Sequence, residues 1–234
     1  MNSLESVYEI VRKINLELSN SEYNLPNAVL ARINSMCQNI KFNVIPTSKK
    51  VIKNLFSLYN EKFEIEYISE NNGNSHILDY PPIYHNGRFY YVIPIVNLAE
   101  NTDDNEFIFS IYHEVAHLFS TSEWSYDGDK HSMTRYSGVS REIYYYTGEE
   151  VVNSSNESIL WQEFINDWVA EHLYSIIEAK KYFGSNVGKN SQMSSFILGV
   201  INHDFNGDIK KFIGSYFSNQ LCYLEREYAG KERE

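Results

Sequence analysis

The chain has 234 residues, of which 31 are acidic and 20 basic, for a formal net charge of −11. That length supports an ample core without disulfide staples, and the acidic balance with no basic block argues against nucleic acid or an anionic membrane as partner. The only cysteines, Cys37 and Cys222, lie near opposite ends, so there is no disulfide framework and a reducing compartment is the simpler inference, with a single bridge left open.

In chain order, residues 4–18 carry Val7, Ile10, Val11, Ile14 and Leu16 in a helical pattern, and residues 26–38 do so with Val29, Leu30, Ile33 and Met36, Pro26 suiting a first turn. Lys41–Ile45 alternates as a strand, residues 48–60 read as a helix, and Phe63–Ile68 alternates again. A turn over Asn71–Asn74 leads to a strand at His76–Tyr80, which Pro81-Pro82 breaks. Asn86-Gly87 then turns the chain into a strand over Arg88–Ile95. The expectation is an α+β chain in which a small, mostly antiparallel sheet precedes a helical C-terminal half. Residues 1–60 would form a mainly helical segment packed on residues 61–234, or the whole 1–234 would be one domain.

The next helix carries the most informative pattern, His113-Glu114-Val115-Ala116-His117. Residues four apart share a helix face, so both imidazoles can reach one ion while Glu114, about 100° round, points toward a water on that ion. Two histidines on an exposed face would give the same letters, but the setting argues for a core. Phe107, Ile111, Val115 and Leu118 form a buried-type stripe, and Asp103, Asp104 and Asn105 stand where a first turn needs acceptors.

A catalytic zinc takes three protein ligands and leaves a fourth position for water. The third is sought in Ser158–Ala170, an apolar helical stretch with Glu163 and, four residues on, Asp167. The economical assignment makes Glu163 the ligand and Asp167 the acceptor that fixes the tautomer of one histidine, though the two acids can exchange roles. Solvated charges on an amphipathic helix are the alternative; Trp161, Ile165, Trp168 and Val169 crowd them too closely for that.

Between the two helices, residues 121–156 are rich in Ser, Thr, Asn, Gly, Asp and Tyr and read as a partly ordered rim or lid. Asp127-Gly128-Asp129 and Asp204–Asp208 lack the length and terminal Glu of a calcium loop and read as turns. His76, His85 and His203 have no partner at ligand spacing, and His172, nine positions after Glu163, falls about half a turn away from it on the helix wheel. The second ligand helix is expected to run toward Tyr182, with two more helices around residues 196–201 and 209–217.

His113-Glu114-x-x-His117 followed by Glu163-x-x-x-Asp167 resembles the gluzincin group of zinc metallopeptidases. The gap of 163 − 117 = 46 residues, and Gln162-Glu163-Phe164 before Asp167, are similar to the toxin-like branch related to anthrax lethal factor. The resemblance covers residues 104–180. A weaker one, through Asn166–Glu171, is to the ImmA/IrrE metallopeptidases that cut repressors, but it puts Phe164 or Ile165 where an acid is expected.

The gluzincin resemblance implies a zincin-like catalytic domain, a Zn2+ cofactor, Glu114 as general base and a Tyr or His that donates to the oxyanion. Within Tyr144-Tyr145-Tyr146, position favours Tyr145 or Tyr146 as that donor; Tyr136 and His131 lie in the same connection. It also implies an edge strand that pairs with an extended peptide, for which Arg88–Ile95 is the candidate because Pro94 suits an edge.

The function so implied is endopeptidase action on a protein or peptide. The alternatives are a regulatory peptidase that cleaves a repressor and a non-catalytic peptide-binding module; Glu114 favours turnover, since a scaffold needs no base there. No clustered Arg or Lys helix supports DNA reading. Met1–Ser6 lacks the start of a signal peptide and no apolar run reaches bilayer length, so a cytoplasmic protein is expected, although a toxin released by other means would look the same.

Overall fold

The structure, a computed structural model, describes residues 3–59, 61, 64–101, 103–157, 159–181 and 191–224. Two helices open it. In α1 (Leu4–Leu18), Ser3 accepts from the Ser6 amide as N-cap, and Val7, Ile10, Val11, Ile14 and Leu18 are buried. Leu16, assigned to this stripe from the sequence, is 75 % exposed; Leu18, four residues after Ile14, takes the inward position. α2 (Asn27–Asn39) follows Pro26 and buries Ile33.

The expected helix over residues 48–60 is instead a strand. β1 (Lys41–Ile45) is followed by β2 (Val51–Ser57), which pairs antiparallel with β3 (Glu64–Glu70). Val51, Leu55 and Leu58 stand at helical spacing, but the strand buries the alternate set Ile52, Asn54 and Phe56 and turns Val51 and Leu55 out. Phe63, read as the start of the next strand, lies outside the described residues.

β4 (His76–Leu78) and the hairpin of β5 (Ile83–His85) and β6 (Arg88–Tyr90) come next. Asn86 and Gly87 adopt φ of 49° and 76°, the left-handed pair that a tight two-residue turn requires. The strand expected over Arg88–Ile95 is therefore divided. β6 ends at Tyr90, and β7 (Ile95–Ala99) begins beyond Pro94 as the central strand of a three-stranded sheet, parallel to β1 and antiparallel to β4. Pro94 marks the break before a buried strand, not an edge, since a residue without an N–H cannot continue a ladder.

α3 (Asp104–Ser120) leads to β8 (Ser125–Asp127), β9 (Ser132–Ser137), β10 (Ser140–Thr147) and β11 (Glu150–Glu157), which form a four-stranded antiparallel meander. The rim expected over residues 121–156 is thus an ordered sheet. Its inward residues include Ser132, Arg135, Ser137 and Ser140, so polar burial hides the apolar alternation by which strands are recognised.

α4 (Ile159–Glu178), α5 (Ser191–Asp204) and α6 (Ile209–Phe217) complete the α+β fold. Tyr182, the expected end of α4, is outside the described residues. One apolar core joins Ile14, Ile33, Val96, Ile111, Ile165, Ile201 and Ile213, so the six α-helices among the described residues and the central strand pack together. A smaller cluster of Phe56, Leu58, Val92 and Ile95 ties the β2–β3 ribbon to the start of β7. Cys37 and Cys222 are not bridged, and no helix among the described residues is long and apolar enough to cross a membrane.

Candidate metal centre

α3 starts at Asp103, whose carboxylate accepts from the amides of Asn105 and Glu106, and then runs through the core. Phe107, Phe109, Ile111, Tyr112, Val115, Ala116, Leu118 and Phe119 are buried around it. Burying each large apolar side chain contributes about 1.5–3 kcal/mol, enough to fix the axial and rotational position of the two histidines it carries. His113 and His117 keep 22 % and 14 % of their side-chain surface exposed, where the helix meets a cleft.

α4 lies against α3 and presents Glu163 and Asp167 one turn apart. His113 Nε2 is 3.2 Å from His117 Nε2 and 3.6 Å from a Glu163 carboxylate oxygen, which is 3.3 Å from His117 Nε2. Three donors bound at about 2.0–2.1 Å to a tetrahedral ion stand roughly 3.3–3.4 Å from one another. The observed triangle comes within about 0.3 Å of that spacing on all three sides, so His113, His117 and Glu163 could hold one metal ion. Among the described residues no other group of this kind occurs.

Asp167 is buried, and its carboxylate accepts the Nδ1–H of His113 over 2.7 Å. That bond leaves the Nε2 lone pair of His113 directed into the triangle, and it places the two acids in the order read from the sequence: Glu163 inside, Asp167 behind. The His113 pKa is raised to about 10: burial opposes the charge, but the hydrogen bonds to Asp167 and Glu163 outweigh it. His117 is held below its usual value by burial and by the neighbouring His113, against the pull of Glu163. Glu163 resists burial and is held well below the carboxylate range by its bonds to both imidazoles. Burial pushes the Glu114 carboxyl up to about 7, against the pull of His113.

Behind the ligands lies a polar network that sequence reasoning missed. Asn166 donates to the backbone carbonyl of His113 over 2.9 Å and accepts from Tyr216, whose oxygen in turn accepts from Gln162 at 2.8 Å. Gln162 also accepts from the Val139 amide at 2.9 Å, and its nitrogen rests 3.4 Å from His117 Nδ1. The network pins α4 to α3 at the level of the ligands and explains why Gln162 and Asn166 are buried. Gln162-Glu163-x-x-Asn166-Asp167 was the available signal: two adjacent polar pairs one turn apart in an otherwise apolar helix.

The cleft over the triangle is a cavity of about 420 Å³. Its walls include Glu114 on α3, Ser75, His76 and Ile77 at β4, and Arg135, Glu142 and Tyr144 from the four-stranded sheet. Of the tyrosine cluster, only Tyr144 lines it. Tyr146 turns the other way, is buried against Phe89 and donates to the Pro82 carbonyl over 2.6 Å; Tyr145 does not line the cleft. A register shift between Tyr145 and Tyr146 against β11 separates the three. His131 and Tyr136 also lie elsewhere: His131 meets Tyr126 and Tyr84, and Tyr136 lies beneath Arg141. His76 does line the cleft, held by the Asn74 carbonyl at 3.0 Å and by Asn97 at 3.3 Å.

Arg135 forms the far wall. It pairs with Asp79 and with Glu142, the latter at 2.8 and 3.0 Å, and its guanidinium sits 4.5 Å from the Trp124 ring centre. These two pairs raise its pKa despite burial and tie the chain after β4 to the four-stranded sheet across the cleft. No family model, curated protein or solved structure matches this chain.

Proposed function

We propose that the protein is a zinc-dependent endopeptidase. The observation that carries the reading is the ligand triangle of His113, His117 and Glu163, with Glu114 lining the same cleft. The residues fit zinc by donor type, two imidazoles and one carboxylate, and by spacing. The order of motifs supports the likeness to gluzincins, and to the lethal-factor-like branch in particular.

Bound there, zinc would supply Lewis-acid polarisation of a carbonyl and acidify a water. The chain's own groups do the rest. Glu114, in a buried carboxyl environment that favours proton uptake near neutrality, takes the proton of the attacking water and passes it to the leaving amine. Asp167 holds His113 in the tautomer that ligates through Nε2. Tyr144, which lines the cleft and whose pKa is raised by burial and by Glu142, is the candidate donor to the oxyanion.

β4 is an edge of its sheet, and Ser75, His76 and Ile77 border the cleft. An extended peptide adding to that free edge would carry a peptide bond past the triangle, the role assigned from the sequence to Arg88–Ile95. With Asp79 and Glu142 matched by Arg135 and Glu163 on the zinc, the cleft carries little net charge, which suits a neutral peptide segment.

The test is cleavage of a proteome-derived peptide library by the zinc-loaded protein and by Glu114→Gln. Cleavage by the first and not the second, with equal zinc in both, supports the reading; equal cleavage by both removes it.

A further inference from the structure

A second cavity of about 430 Å³ adjoins the cleft and shares four wall residues with it: Asp79, Leu118, Thr121 and Arg135. It lies off the C-terminal end of β4. The last β4–β7 pair joins Leu78 to Ile95; Asp79 continues β4 into the shared wall, and Tyr91–Pro94 leads into β7 along the same side. A peptide laid on the free edge of β4 and continued past Leu78 therefore arrives at this cavity.

Its lining combines an aromatic and apolar part, Met36, Tyr59, Tyr91, Val92, Leu118 and Trp124, with a polar rim that includes Ser122 and Glu123. The wall is held firmly: the Tyr59 amide donates to the Tyr91 carbonyl and the Ile93 amide to the Ser57 carbonyl, both at 2.9 Å. α2 closes another side through Arg32, Ser35 and Met36.

Most of the charges around the cavity are engaged; Glu123 stands exposed at its rim, and the buried Arg32 Nε has no hydrogen-bond partner among the described residues. Arg135 is matched by Asp79 and Glu142, and Arg32 donates to the carbonyls of Phe119 at 3.0 Å and Phe217 at 2.8 Å, the C-terminal ends of α3 and α6. A charged guest inside the cavity would have to displace one of these partners, rest on the Arg32 Nε–H left over, or stay at the rim beside Glu123. An aromatic guest meets three rings, whose edges and faces suit another ring. Trp124 further touches Tyr144 edge-on at 5.6 Å, so a guest packed on Trp124 also bears on the donor in the cleft.

We propose that this cavity is a specificity subsite that receives an aromatic side chain of the peptide lying along β4. The inference rests on the endopeptidase reading for its substrate, but not for its binding test. In the library experiment, Phe, Tyr and Trp should exceed Asp and Lys about tenfold or more at one position near the cleavage point. Ser35→Trp, on an exposed helical position at the cavity wall, should shift that position toward smaller residues.

A second arm needs no turnover: saturation-transfer NMR with N-acetyl-phenylalanine amide and N-acetyl-aspartic acid amide on the Glu114→Gln protein. Binding of the aromatic amide alone, weakened about tenfold or more by an added Ser35→Trp, supports the subsite. Equal binding of both amides, or of the aromatic one with and without Ser35→Trp, overturns it, as does Glu114-dependent cleavage without aromatic preference. If no cleavage occurs yet the aromatic amide binds and Ser35→Trp abolishes it, the endopeptidase reading fails and the aromatic cavity stands.

Discussion

The His113 Nδ1–H donates to the buried Asp167 carboxylate over 2.7 Å, so the orientation of a candidate ligand on one helix is set by an acid on another. Asp167→Ala should therefore weaken zinc binding by about 10–100-fold without removing a ligand. Asp167→Asn, which keeps an acceptor oxygen, should cost less. Competition titration against a chromophoric chelator measures both; an unchanged affinity in Asp167→Ala would detach the acid from the site.

On the proposed reading, zinc competes with a proton on His113. In chelator-stripped protein this imidazole has its pKa raised to about 10, so it is protonated at neutral pH and must lose that proton to ligate. Apparent zinc affinity should rise with pH by up to about tenfold per unit between roughly pH 6.5 and 9. The stripped protein shows the opposite linkage. The folded-state pKa is raised, so the stabilisation is fully present below the unfolded value of 6.5 and is lost as pH climbs through about 10. Calorimetric zinc titrations in buffers of different ionisation heat count the proton released; none released at pH 7 would contradict this.

Gly138 cannot accept a side chain. Its φ is +57°, and a Cβ would stand 2.2 Å from the Tyr216 ring and 2.7 Å from Gln162 Oε1. Gly138→Ala should destabilise the fold by about 2–3 kcal/mol through overpacking and backbone strain, and should lower zinc affinity because Gln162 and Tyr216 brace the ligand helices. Denaturant melts with and without zinc separate the two effects.

Arg135 compensates two carboxylates that are 13 % and 15 % exposed. Arg135→Met should leave Asp79 and Glu142 facing each other uncompensated and cost about 3 kcal/mol of stability. Arg135→Lys should recover part of that, since one ammonium lacks the fork that reaches both acids. Thermal melts of the two variants give the comparison.

The site was legible in the sequence where one helical period carried all the information. His113, Glu114 and His117 occupy one turn of an apolar helix, and Glu163 and Asp167 one turn of another, so spacing alone put each pair on a face. What brings the two helices to a shared centre is less local: Asn166, Gln162 and Tyr216 act across more than forty residues, and no single period encodes them. The β2 strand was misread because Val51, Leu55 and Leu58 satisfy the helical period as well as their neighbours satisfy the strand period. The β8–β11 sheet was hidden because Arg135, Ser137 and Ser140 are buried through hydrogen bonds and ion pairs, not through apolarity. Tyr144 could not be separated from Tyr145 and Tyr146 without the strand register and the irregularity that follows it.

The most direct measurement is the zinc content of purified protein after dialysis at a fixed low free-zinc concentration, for the native chain and for His113→Ala, His117→Ala and Glu163→Ala. The account predicts about one zinc per chain in the native protein and a small fraction of that in each variant. No zinc in the native chain, or the same content in all four proteins, would contradict it.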